Sequence, residues 1–147
     1  MDGSTLYDSD FYAWANEQAA LLRAGKLDSA DIEHIAEEIE SMGKTEKREL
    51  VSRLRVLLHH LLKWEHQPSR RSNSWASFGC QQPRRKSETH LRDNPSLKSK
   101  LSESIADAYR LARRDAAAET GIDEATFPVQ CPWSFAEMTD EGFWPEG

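Results

Sequence analysis

The sequence predicts an all-α protein, a compact bundle of about five helices with an irregular, aromatic-rich C-terminal strap. Three observations carry this. Apolar residues recur at steps of three and four along most of the chain. Capping residues and glycines punctuate those periodic segments. No apolar–polar alternation of strand length interrupts them. At 147 residues the chain is long enough to bury a core without metal or disulfide support. The expected organisation is one helical domain over 1–147, with the bundle in 1–121 and the strap in 122–147.

The first periodic segment is SDFYAWANEQAALLRAG. Phe11, Trp14, Ala15, Gln18, Leu21 and Leu22 share a face, Ser9 or Asp10 can cap its start, and Gly25 can end it. The second is LDSADIEHIAEEIESMG, with Asp28 as the candidate N-cap, an apolar stripe through Ile32, Ile35, Ala36, Ile39 and Met42, and Gly43 as the stop. The third runs from about Thr45 to Gln67, where Pro68 ends it. Its spine is Leu50, Leu54, Leu57, Leu61 and Trp64, widened by Val51, Leu58 and Leu62, which marks a central helix.

Residues 69–93 are polar and Arg-rich, and Gly79 and Pro83 interrupt them. A kinked helix and a loop followed by a short helix both fit. In the next segment Asn94 caps, Pro95 takes the first turn, Leu97, Leu101, Ile105, Ala108 and Ala112 align, and Gly121 closes. The tail carries Phe127, Trp133, Phe135, Phe143 and Trp144, too many aromatics to leave in water. Ser134 and Glu137 have capping-box spacing, so a short helix is expected there.

Four phrases taken together resemble one bacterial family. They are YDSDFYAWANEQAALLRAG, IEHIAEEIESMGKTEKREL, RLRVLLHHLLKWEHQP and FPVQCPWSFAEMTDEGFWPE. The chain is similar along nearly its whole length to the domain-of-unknown-function family numbered twenty-nine. The resemblance implies an all-helical, cytosolic bacterial protein and carries no activity with it.

Function is read from charge and from side-chain clusters. The net charge of −6 hides a pattern. Residues 50–92 hold 9 Lys/Arg against 2 Asp/Glu, between two acidic flanks. Either the acidic helices compensate the basic middle internally, or the middle meets an anion. No stretch approaches the ~20 apolar residues of a membrane span, so no membrane role is expected. The acidic N-terminal stretch has no apolar signal core, and only Cys80 and Cys131 are present, so a cytoplasmic location is expected.

No phosphate-cradling glycine loop, nucleophile elbow or HExxH appears. Cys80 among basic residues, with His90 as its base, is a nucleophile candidate outweighed by an incidental cysteine. No cofactor is expected. No metal set is complete: Glu37 and His60 are weak candidate ligands, and Asp31 with His34 gives one carboxylate-x-x-His copy where a di-iron bundle needs two Glu-x-x-His motifs and further carboxylates. The basic segment 68–92 offers Arg70, Arg71, Arg84, Arg85 and Lys86 to phosphates and Trp75 to an unpaired base.

The leading expectation is therefore a non-enzymatic interaction or regulatory protein, meeting an unknown protein partner or a second copy. The alternatives are nucleic-acid or polyanion binding through 68–92, and a metal-dependent hydrolase on the bundle.

Overall fold

The computed structural model describes residues 3–146. Met1, Asp2 and Gly147 lie outside the described residues, as do the side chains of residues 3–5, so the start of the acidic N-terminal stretch is not covered. Six α-helices are present among the described residues, and no strand: α1 (Gly3–Ser9), α2 (Phe11–Arg23), α3 (Ile32–His66), α4 (Gln82–Asp93), α5 (Leu101–Thr120) and α6 (Phe135–Thr139). The all-α class is as the periodicity requires. The chain divides into two compact units, Met1–Thr45 and Glu46–Gly147.

In the first unit, Asp10 caps α2 by accepting the Ala13 amide proton at 3.1 Å, and Gly25, at φ 72°, ends the turn that follows. A small aromatic and polar cluster joins α1, α2 and the start of α3. Tyr7 stacks on His34 at 4.1 Å, meets Trp14 edge-on at 4.7 Å and donates its hydroxyl proton to Glu38. The Trp14 indole donates to Asp31, whose own amide donates to Gln18.

Two expectations fail here. Asp28 sits in a 3-10 turn, Leu27–Ser29, and the carboxylate facing the first turn of α3 belongs to Asp31, 3.4 Å from the His34 amide nitrogen. Nor does Gly43 stop a helix. Only Gly25 and Gly121 have positive φ among the described glycines, so Gly43 stays right-handed and α3 runs through it for 35 residues.

The second unit is built on the remainder of α3. Leu50, Leu54, Leu57, Leu58, Leu61 and Leu62 are fully buried, each contributing roughly 1.5–3 kcal/mol by removal from water. Ala108, Tyr109, Ala112 and Ala116 of α5, Leu91 of α4 and Cys80 join that core. A ladder of ion pairs ties α3 to α5 at near-constant sequence offset. Lys47 meets Glu103 at 2.7 Å, Arg55 meets Asp115 at 2.5 Å, and Lys63 meets Glu119 at 2.6 Å. The basic middle is thus partly compensated from α5. Arg53 pairs with Glu49 on its own helix and Arg55 with Asp115 of α5.

Residues 73–93 are continuously helical, which decides between the two readings of the Gly79–Pro83 stretch. Trp75–Gln81 is wound as a π-helix, in which Gln82 N–H reaches Ser77 O, five residues back. Pro83 then falls in the first turn of α4, directly after the π-helical winding. Before α5 the chain forms a 3-10 turn, Pro95–Lys100, so α5 begins at Leu101. Asn94 does not cap it; its side-chain amide donates to His90 O instead. Gly121 closes α5 at φ 75° as expected.

The segment after Gly121 lies on this core. Phe127 and Trp133 are buried, and Trp144 packs on Trp64 at 4.5 Å between ring centroids. The Tyr109 hydroxyl donates to Pro128 O at 2.6 Å. Ser134 and Glu137 form the expected capping box at the start of α6.

Candidate functional site

The stretch HHLLKWEHQPSRRSNSW folds back on itself. It leaves the end of α3, turns through a 3-10 segment, Pro68–Arg70, and re-enters helix at residue 73. The turn lays Trp75 against the last turns of α3. Its indole N–H donates to His60 Nδ1 at 3.0 Å, and its ring meets Trp64 edge-on at 5.2 Å. The Lys63 ammonium sits 5.3 Å from the Trp75 ring centroid, at cation–π distance.

Gly79 explains why this fits. A Cβ there would meet Trp75 Cδ1 at 2.4 Å and His60 Nδ1 at 2.9 Å, so the Trp75–His60 hydrogen bond needs a bare backbone beside it. The π-helical winding brings Gly79 into that position.

Around Trp75 a cleft of about 170 Å³ opens, lined by Lys63, Gln67, Arg70, Trp75, Glu119 and Thr120. Lys63 is bound to Glu119, and His59 Nε2 lies 2.7 Å from the other oxygen of the same carboxylate. Arg70 is exposed and has no ion pair among the described residues.

Both histidines stay neutral near pH 7. Burial pushes His60 down to about 4, helped by His59 and Lys63, and burial also lowers His59. The cleft therefore holds two cations, Lys63 and Arg70, against one carboxylate, Glu119. It keeps one uncompensated positive charge beside an aromatic wall.

A family model described as Domain of unknown function DUF29 matches residues 6–144. The chain belongs to the DUF29 family. No curated protein and no solved structure gives a significant match. The family description assigns no activity, so the reading of this DUF29 chain rests on its own geometry.

The residues singled out for anion binding do not form one surface in this DUF29 chain. Arg70 and Trp75 come together in the cleft. Arg71 turns back, donating from Nε to Trp64 O at 2.8 Å with its guanidinium over the Trp64 ring. Arg84 is fully buried. It donates to the carbonyls of Asp140 and Phe143 and lies 4.6 Å from the Trp144 ring, so it locks the C-terminal segment down and cannot meet a ligand. Arg85 is paired with Glu141 at 2.5 Å. With Lys86 it lines a separate cleft shared with Arg53, Thr89, His90 and Asp93.

Among the described residues no three His, Cys, Asp or Glu side chains gather as a metal-binding group. Glu37 and His60 fall in different units, and the His60 Nδ1 lone pair already accepts the Trp75 indole proton. Cys80 is buried with its thiol pushed up to about 11 by that burial, which is the reverse of what a nucleophile needs. No helix among the described residues is long and apolar enough to cross a membrane.

Lys63, Glu119, Gln67 and Thr120 were missed as members of the site. A signal existed for Glu119. Asp115 and Glu119 are four apart on α5, and so are Arg55, His59 and Lys63 on α3, the spacing of two matched helix edges.

Proposed function

We propose that the protein is a non-enzymatic binding protein whose Trp75 cleft takes a small mono-anionic ligand, a carboxylate carried on a flat apolar body. One observation carries the reading: Lys63 and Arg70 line one cleft with only Glu119 to balance them. The carboxylate would accept from the Arg70 guanidinium, bidentately, and from Lys63. The flat body would lie against Trp75. The cleft is smaller than the ~300–1,000 Å³ of drug-sized sites, which favours a small ligand. The internal ties of Arg71, Arg84 and Arg85 leave no row of free arginines, and this weighs against an extended polyanion along 68–92.

Calorimetric titration with benzoate, benzylamine and inorganic phosphate tests this. Benzoate binds, benzylamine does not, and Arg70→Ala weakens benzoate binding about tenfold, the loss of ~1.4 kcal/mol expected for one charged hydrogen-bonding partner. Equal binding of benzylamine, or an unaffected Arg70→Ala, sinks the reading. A parallel titration with a short single-stranded oligonucleotide checks the polyanion alternative. Tight binding that weakens over several log units with salt would favour that alternative.

A further inference from the structure

The first unit leaves an apolar face uncovered. On the first half of α3, Ile32 is 54% exposed, Ile39 59% and Met42 63%. At 3.6 residues per turn these three and Ala36 fall within an arc of about 120°. The other flank of the helix is occupied, because Asp31, His34 and Glu38 face Trp14 and Tyr7. One edge of the apolar arc carries Glu33, Glu37 and Glu40, none of which makes an ion pair among the described residues. This is an amphipathic face without a partner, and a solvated helix has no use for isoleucines in its middle.

Its charge narrows the occupant. Residues 1–45 hold 3 Lys/Arg against 10 Asp/Glu. Nucleic acid and anionic lipid surfaces are repelled by such a unit. A second copy on this face would set Glu33, Glu37 and Glu40 against their own counterparts, and like charges across an interface cost affinity. A cation-flanked apolar helix satisfies both halves of the face at once, with its aliphatic residues on Ile32, Ile39 and Met42 and its Lys or Arg on the three glutamates.

We propose that the Ile32–Met42 face of α3 docks a basic amphipathic helix of a partner protein. The face is about 15 Å long, room for roughly three turns. A contact of this size belongs to the weak, exchangeable class. It uses none of the residues of the Trp75 cleft, so either proposal can fail without the other.

The test uses the full chain and a fluorescent peptide of leucine and lysine with leucines at helical spacing. Controls are its scrambled sequence and a leucine–glutamate counterpart. The leucine–lysine peptide binds saturably by anisotropy, and the scrambled one binds at least about tenfold more weakly. Ile39→Ser with Met42→Ser weakens binding about tenfold. Glu33→Lys with Glu37→Lys and Glu40→Lys transfers preference to the leucine–glutamate peptide. All these positions are exposed, and circular dichroism verifies that the helix survives.

Absence of saturable binding, equal binding of the scrambled peptide, or indifference to both sets of substitutions overturns the proposal. So does a dimer in sedimentation that Ile39→Ser with Met42→Ser dissociates, because that would put a second copy on the face.

Discussion

Gly79 is the residue on which the candidate site turns. The Trp75–His60 hydrogen bond lies where a side chain at position 79 would be, with Trp75 Cδ1 only 2.4 Å from the place of a Cβ. Gly79→Ala must push the indole away and break that bond. The expected cost is about 1–3 kcal/mol, from overpacking with the loss of a half-buried hydrogen bond. Urea unfolding followed by tryptophan fluorescence measures it, and an unchanged midpoint would mean the indole is not seated there. None of this was legible in the sequence, where Gly79 reads as an interruption. Its role depends on a π-turn and on a histidine nineteen positions earlier, and spacing rules for a regular helix place neither. Arg84 was misread for a related reason. One arginine in a basic run looks like its neighbours until the fold brings the Asp140 and Phe143 carbonyls to it.

Among the elements, α3 departs most from its sequence reading. The apolar periods on either side of Gly43 were each legible, as was the leucine spine from Leu50 to Leu61. What could not be read was whether the glycine between them turns left-handed. Gly25 and Gly121 do and end their segments, while Gly43 does not.

A substitution separates the two cases. No heavy atom lies within 4 Å of a Cβ at position 43, so Gly43→Ala in a continuous helix should stabilise by about 0.5–1 kcal/mol. At a left-handed stop the same change would destabilise. Thermal unfolding distinguishes these signs. The Ser134–Glu137 capping box was legible because both partners are local, whereas the start of α5 was not. Asn94 and Pro95 make an equally good opening for the 3-10 turn that the chain adopts there.

For the whole molecule, charge is the thread that joins fold to function. The acidic–basic–acidic pattern resolves into ion pairs between α3 and α5, and into a first unit whose Glu33, Glu37 and Glu40 make no ion pair among the described residues. Half-buried neutral histidines add a pH dependence. His60 has its folded pKa lowered to about 4 from 6.5, so between these values the unfolded chain binds a proton that the folded one refuses. That contribution is complete above pH 6.5 and is lost as pH falls towards 4. His34 acts in the opposite sense, since its hydrogen bond to Asp31 raises its pKa. Replacing His60 with Gln, which can still accept the indole proton, should therefore flatten the fall in stability between pH 6.5 and 5. An unchanged slope in urea unfolding would show that His60 is not held neutral.

The site itself was half legible. Arg70 and Trp75 stood out in the sequence, but the carboxylate that sets the net charge of their cleft comes from Glu119, on another helix. The most direct test of that cleft is the indole N–H resonance of Trp75 during a benzoate titration at neutral pH, assigned with Trp75→Phe. A saturable shift at Trp75, with the other four indoles still and with Arg70→Ala needing about tenfold more benzoate, is the predicted result. A silent Trp75, or equal shifts at all five tryptophans, would contradict the account.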